Sequence, residues 1–182
     1  MNCINKKELE FIKEILALWA QHSEWTLMAI TSIIFDSPNE EVVINRLLRN
    51  PEDFYEVLEP FYGDIMASRF ANLLTEHLVL AADLVNALKD NPEMVEDIRC
   101  RWYRNADEIA RLLGLINPYW TCSKWRRMLF KHLRLAEAFA TKLLNNQYEE
   151  YIMAYDIYEA EVMMMAEMMY EGMLKQFCCE FR

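Results

Sequence analysis

The chain has 182 residues, of which 54% are hydrophobic and 26% are charged, and it contains only three Gly and five Pro. Phosphate-binding loops, nucleotide-binding βαβ units and hairpin-rich sandwiches each need several glycines at fixed places, so this composition argues against all three. The formal net charge is −10, which repels nucleic acid and anionic lipid. The composition therefore predicts one all-α domain over residues 1–182, with neither nucleic acid nor membrane as a partner.

The cysteines and the N-terminus favour a cytoplasmic protein. Five cysteines, an odd number without CxxC or zinc-type spacing, fit a reducing compartment. We interpret the adjacent Cys178 and Cys179 as ordinary thiols near the C-terminus rather than as a redox pair or a soft-metal site. The N-terminal segment lacks the apolar run and cleavage site of a signal peptide, and polar residues interrupt every apolar stretch before it reaches the ~20 residues that cross a bilayer.

The Gly and Pro residues fall where the helical periodicity stops, and they divide the chain into elements. A first helix is predicted from about Asn5 to Phe35, and residues 38–62 form two short helical pieces that are split at Asn50-Pro51. Further helices are predicted at about 64–89, 93–115 and 123–144, and a last one from after Asn146 to Gly172 or slightly beyond. No alternating strand pattern competes with them.

The three histidines indicate an internal repeat, because His22, His77 and His132 follow one another at intervals of 55 residues. Residues at matching offsets from each histidine lie on one helical face, for example Trp19, Leu74 and Leu129 before it and Ala29, Leu84 and Phe139 after it. The later two copies also share local sequence, LLTEHLVLAA and MLFKHLRLAE. We interpret residues 63–117 and 118–177 as duplicated helical hairpins, and residues 1–62 as a partly degenerate first copy.

Counting from the turns predicts which residues lie level with the histidines. The turn near residue 91 places Asn105 level with His77, and the turn near residue 146 places a residue near 160 level with His132. Asn105 and Glu159 are the polar interruptions of their apolar seams in these regions. The predicted fold is an up-down bundle of four long helices with an extra short helical pair. In this bundle one polar layer gathers His22, His77, His132, Asn105 and Glu159.

Three interpretations of this layer remain open. The first is a divalent metal site, in which His22, His77, His132 and Glu159 form an N₃O ligand set for Zn, Fe or Mn, with Asn105 and Asp156 hydrogen-bonded to the ligands. The second is a noncatalytic layer that satisfies its own hydrogen bonds and fixes the register of the bundle, in a structural or protein-interaction module. The third is an acid–base site built on a His132–Glu159 pair, although the sequence shows neither a pocket nor a nucleophile motif.

The last predicted helix is rich in methionine between residues 163 and 173. Thioether sulfur is a soft ligand that suits copper, but these methionines cover more than one helical face, which favours packing instead. Because Met164, Met168 and Leu174 cannot all face inward together with Met163 and Met169, we expect part of this helix to form a homodimer contact.

Several segments resemble a family of small, uncharacterised all-helical bacterial proteins, and the resemblance covers most of the chain. The segments are WYRNADEIA at 102–110, NPYW at 117–120, the helix around His132-Leu133, and Tyr155-Asp156 with the methionine-rich stretch that ends at Gln176-Phe177. The resemblance implies a helical fold and no established chemistry. More loosely, the chain is similar to haemerythrin-like and DinB-like metal-binding bundles, a likeness at the level of the fold that favours the metal interpretation.

Overall fold

The computed structural model describes residues 4–181, and every regular element in that range is helical. The α-helices are α1 (Lys6–Ile34), α2 (Glu40–Leu47), α3 (Asn50–Asp90), α4 (Val95–Ile116), α5 (Cys122–Leu144) and α6 (Tyr148–Gln176), with a 3₁₀ turn at Pro92–Met94. None of these helices combines the length and apolar character that crossing a membrane requires. The all-α prediction is confirmed, and the predicted boundaries lie close to the observed ones.

Local capping groups explain why the helices begin and end at these positions. Asn5 opens α1 with a capping box, in which its side chain accepts from the Glu8 amide and the Glu8 carboxylate accepts from the Asn5 amide. Thr121 opens α5 by accepting from the Lys124 amide. Asp36 and Asn146, with φ of 48° and 57°, follow α1 and α5 in the left-handed conformation that commonly ends a helix.

Helix α3 consists of two arms that meet at Gly63. This residue has φ 74° and ψ 162°, a backbone conformation that glycine adopts without the strain a side chain would cause. The first arm, residues 50–62, runs antiparallel to α1, since Phe54 packs on Trp19 and Phe61 packs on Phe11. The second arm, residues 64–90, begins a new hairpin, as the glycine in the sequence predicted.

The described helices form three hairpins around a common centre. The pairs are α1 with α2 and residues 50–62, residues 64–90 with α4, and α5 with α6. Helix α4 packs against both α3 and α5, and α6 packs against both α5 and α1, so the hairpins close into a ring. Helices α1, α3 and α5 also contact one another at the centre. This arrangement differs from the predicted four-helix core, because α1 and its return segments complete a third hairpin.

Helix α6 packs through methionine and a glycine on its inner face. Met165, Met169 and Met173 are fully buried, whereas Met164 is 52% exposed. Gly172 lies directly under Trp120, and a Cβ atom at this glycine would be 1.8 Å from the indole Nε1. That Nε1 donates to the Met168 carbonyl at 2.9 Å. The end of the third hairpin is therefore locked to the α4–α5 connection by a contact that only glycine permits.

Candidate functional site

The three hairpins bring His22, His77 and His132 together at the centre of the molecule. Each of these three residues is at most 3% exposed. The ring centroid of His132 lies 5.6 Å from that of His22 and 6.1 Å from that of His77. The equal spacing of the histidines places them at equivalent positions on α1, α3 and α5, and contact between these three helices makes them neighbours in space.

Two of the imidazoles are held by asparagines from the return segments. Nδ1 of His22 lies 3.2 Å from Oδ1 of Asn50, and Nδ1 of His77 lies 2.9 Å from Oδ1 of Asn105. In both hairpins the asparagine follows its histidine by 28 residues. The same polar pair therefore occurs twice, at the same place in two copies of the repeat.

The asparagine side chains also determine which nitrogen of each imidazole carries the proton. Nδ2 of Asn50 donates to the Leu18 carbonyl at 3.1 Å, and Nδ2 of Asn105 donates to the Leu73 carbonyl at 3.0 Å. With Nδ2 engaged as a donor, Oδ1 is the atom that faces the imidazole, and an amide oxygen can only accept. The imidazole must then donate from Nδ1–H, which leaves a free lone pair on Nε2.

The third hairpin departs from this pattern. The residue that follows His132 by the same interval is Ala160, which is exposed and has no polar side chain. Nδ1 of His132 accordingly has no hydrogen-bond partner within the described part of the chain. The ring packs instead on Tyr158, with centroids 4.8 Å apart, much as the ring of His77 packs on Trp102 at 5.4 Å.

The acids that the sequence placed in this layer do not reach it. Glu159 and Asp156 are both exposed on α6, so the prediction that Glu159 faces the histidines is wrong. The inner face of α6 passes through Tyr158 and then Glu161, and it leaves residue 159 on the outside. Glu161 is only 2% exposed, and its Oε2 lies 2.5 Å from Nζ of Lys131, so this buried carboxylate is paired with a lysine at the edge of the layer.

Burial keeps the three imidazoles uncharged at neutral pH. Desolvation lowers the pKa of His22 and of His77 to about 4, and the hydrogen bonds to the asparagines oppose this only in part. The pKa of His132 is also lowered well below its ordinary value, first by burial and then by the two neighbouring histidines. The layer therefore offers neutral imidazole nitrogens rather than positive charge.

Two small cavities flank the layer, one on each side. Both have a volume of about 20 Å³ and contact all three imidazoles. Three residues that line the cavity on the side of Thr26 and Tyr158 have a polar atom without a hydrogen-bond partner among the described residues, namely Oγ1 of Thr26, Oη of Tyr158 and Nδ1 of His132. The cavity on the other side is bordered by Trp19 and Trp125, whose indole N–H groups are also unpaired within residues 4–181. Burial raises the pKa of Tyr158, and the nearby Thr26 hydroxyl opposes this only in part, without reaching hydrogen-bond geometry.

The layer is not already closed around a metal position. Among residues 4–181, no group of three or more His, Cys, Asp or Glu side chains is arranged to hold a metal ion. Metal–nitrogen bonds of ~2 Å place the ring centroids of tetrahedral imidazole ligands ~5 Å apart. The observed separations of 5.6 and 6.1 Å are wider. The rings of His22 and His77 would each have to approach the ring of His132 by about 0.5–1 Å for these pairs to share one ion.

Sequence reasoning missed Asn50 as a member of this site. Asn50-Pro51 was interpreted as a break between helical pieces, because proline commonly opens a helix. A signal was available, since Asn50 precedes Asn105 by the same interval that separates His22 from His77. Extending the repeat from the outgoing helices to the return helices would have identified it.

Comparisons of the chain with protein families, curated proteins and solved structures found no match. The resemblance to small bacterial helical proteins and the looser likeness to metal-binding bundles therefore stay predictions. The site is interpreted below from its own geometry: a buried, neutral layer of three histidines, two of them oriented by asparagine, with small cavities on both sides.

Proposed function

We propose that the chain binds a single divalent transition-metal ion, Zn, Fe or Mn, in the histidine layer. The observation that carries this proposal is the repeated His–Asn pair. A histidine that ligates a metal usually donates its other ring N–H to an oxygen acceptor, which fixes the tautomer and the ring orientation. His22 and His77 are already in that state, with Nδ1–H directed at an asparagine oxygen and Nε2 free.

The proposed ligand set is three neutral nitrogens, without the carboxylate of Glu159. Three histidines with a fourth position open to water or substrate are an established arrangement for catalytic zinc. Neutral ligands leave the charge of a dication uncompensated in apolar surroundings, so we expect moderate rather than very tight binding. Closing the layer around the ion also requires the small approach of the rings described above.

A noncatalytic structural layer is the second candidate, and it is favoured by the satisfaction of two imidazoles within the protein. The Asn50 and Asn105 side chains each bridge an imidazole and a main-chain carbonyl, so both pairs need no ligand. A buried polar pair of this kind allows only one register between the two helices of a hairpin. In this proposal the protein acts through its surface, and the layer specifies its fold.

Metal content separates the two candidates. The full chain should be purified without chelator or an affinity metal, and then analysed for transition metals and titrated with Zn²⁺, Fe²⁺ and Mn²⁺. The metal proposal expects about one equivalent per chain and a rise in melting temperature on addition of the ion, because a ligand that binds only the folded state stabilises it. The variant His132→Phe should lose both effects, and Glu159→Gln, at an exposed position, should retain both.

A metal content below about a tenth of an equivalent, with no thermal stabilisation by any of the three ions, would overturn the metal proposal. The structural candidate would then stand, provided that His132→Phe still folds. Loss of metal in Glu159→Gln would also contradict the proposed ligand set, because it would indicate that the Glu159 carboxylate is a ligand.

A further inference from the structure

A groove between the first and second hairpins lies beside the histidine layer. Helices α1, α2 and α3 enclose a space of about 260 Å³ with an almost entirely apolar lining. The groove shares Thr26, Ile30, Leu78 and Ala81 with the small cavity beside the imidazoles. An apolar groove that is open at the surface therefore adjoins a small cavity in the core, which is also mainly apolar and has a few polar groups in its lining.

One residue that lines the groove is small, whereas the other two copies of the repeat carry larger residues at the same position. Ala29, Leu84 and Phe139 each follow their histidine by seven residues. Leu84 and Phe139 are 1% and 0% exposed, so these larger side chains are buried in the second and third hairpins. Ala29 itself is 3% exposed, and the groove beside it is bounded by Ile44, Leu47 and Leu48, where α2 ends.

The inner end of this space carries hydrogen-bonding groups that the protein leaves unused. Thr26, His132 and Tyr158 line the cavity and are 6%, 3% and 0% exposed. One polar atom of each has no partner among the described residues, namely Oγ1, Nδ1 and Oη. Buried polar groups are normally paired, because losing their hydrogen bonds to water without replacement is costly. Unpaired indole N–H groups also border the other small cavity, at Trp19 and Trp125, but only the atoms of Thr26, Tyr158 and His132 belong to the cavity that adjoins the groove. They mark the place where a polar group of a ligand would find hydrogen-bond partners.

We propose that the groove and the cavity together bind a small, uncharged amphipathic molecule, with its polar end among Thr26, Tyr158 and His132 and its apolar body over Ala29. The proposal does not depend on a metal in the histidine layer.

Size and charge define the class of ligand. A volume of 260 Å³ accommodates roughly nine groups of the size of a water molecule or a methylene. A carboxylate end is disfavoured, because the side chain of Asp83 lines the groove and the chain carries a net charge of −10. A cationic end would find no carboxylate in the cavity lining apart from Glu137, which is bound to Arg99. A medium-chain alcohol, aldehyde or amide satisfies these conditions.

Titration calorimetry with 1-octanol tests the proposal on the full chain in the presence of EDTA, so that the result is independent of metal binding. We expect saturable binding of one molecule per chain, and at least tenfold weaker binding of octanoate. Ala29→Leu, which introduces the side chain found at Leu84, should weaken binding of 1-octanol at least tenfold. Ala138→Leu makes the same change at an exposed alanine of α5 and should leave binding unchanged.

The polar end is tested by Tyr158→Phe and Thr26→Val, which remove one hydroxyl each at nearly constant volume. Each should weaken 1-octanol binding about fivefold, as expected for one lost hydrogen bond. Circular dichroism must show that the variants fold. If Ala29→Leu does not fold, Thr26→Val supplies the decisive comparison. The proposal is overturned if 1-octanol shows no saturable binding up to its solubility limit. It is also overturned if the folded Ala29→Leu, Tyr158→Phe and Thr26→Val variants bind 1-octanol as tightly as the native chain does. A single water molecule in the cavity would then explain the unpaired atoms.

Discussion

Acidification from pH 7.5 to pH 5 is expected to destabilise the protein through its three buried histidines. In the unfolded chain each imidazole has its ordinary pKa of about 6.5, whereas burial holds the pKa of His22 and His77 at about 4 in the folded state. Between these two values the unfolded chain binds protons that the folded chain does not. The free energy of unfolding therefore falls as the pH falls. The stabilisation is complete above pH 6.5 and is lost progressively as the pH decreases toward 4.

The expected loss is large compared with the stability of an ordinary domain. A difference between pKa values of 6.5 and about 4 corresponds to roughly 3 kcal/mol for each histidine, so His22 and His77 together contribute roughly 7 kcal/mol over the whole window. His132 changes in the same direction. Near pH 5 the unfolded chain binds about three more protons than the folded chain, so the free energy of unfolding should change by about 4 kcal/mol per pH unit. Because domains are typically stable by about 5–15 kcal/mol, we expect acid unfolding to begin near pH 5.

Urea unfolding at pH 7.5, 6.5, 5.5 and 5.0, with EDTA present throughout, measures this slope. The variant His132→Leu should reduce the proton uptake on unfolding from about three to about two, and the slope by about a third. Glu159→Gln, which changes an exposed group, should leave the slope between pH 5.5 and 6.5 unchanged. A free energy of unfolding that varies by less than about 1 kcal/mol between pH 6.5 and pH 5 would refute the reasoning, since it would mean that the imidazoles are not buried in the neutral form.

Three further predictions concern the polar layer, the packing of α6 and its exposed face. Asn105→Leu should lower the free energy of unfolding in urea by about 2–4 kcal/mol, because it leaves an imidazole N–H and a main-chain carbonyl unpaired in the core. A decrease of less than about 1 kcal/mol would contradict that role of Asn105. Gly172→Ala should destabilise by about 1–3 kcal/mol, because its Cβ collides with the Trp120 indole, and an unchanged melting temperature would show that the contact is not tight. If α6 forms the expected homodimer contact, Ile157→Glu on its exposed face should yield monomers in sedimentation velocity. The control Ile65→Glu, at an exposed position of α3, should not change the oligomeric state. A native chain that remains monomeric at high concentration would exclude the contact.

The secondary structure and the central cluster could largely be predicted from the sequence. Helix boundaries depend on local chemistry, such as the capping of Asn5 and the positive φ of Gly63, and these signals lie within a few residues of the boundary they set. The equal spacing of the three histidines carries information over a longer range, because duplicated hairpins place equivalent residues at equivalent heights. For this reason the sequence alone indicated that His22, His77 and His132 would meet.

Only tertiary packing decided which face of each return helix points into the core. Successive helical residues point about 100° apart, so a small error in the rotation of α6 exchanges an inner position for an outer one. The count along the chain gave the correct height near residue 160, but packing of Tyr158 on His132 turned Glu161 inward and Glu159 outward. Nδ1 of His132 stays unpaired among the described residues because Ala160 stands at the place of Asn50 and Asn105, and the outward rotation of Glu159 supplies no other acceptor.

The groove and the cavity likewise belong to the folded molecule and not to any segment. Ala29 has the sequence pattern of an ordinary small residue on a helical seam, and only the folded molecule shows that it borders a groove. Thr26 and Tyr158 come from opposite ends of the chain and share a cavity because α1 packs on α6. The sequence by itself determined the helices and the meeting of the histidines, since both depend on spacing along the chain. Tertiary structure decided which polar atoms remain without partners, because that depends on how distant helices rotate and how completely their side chains fill the space between them.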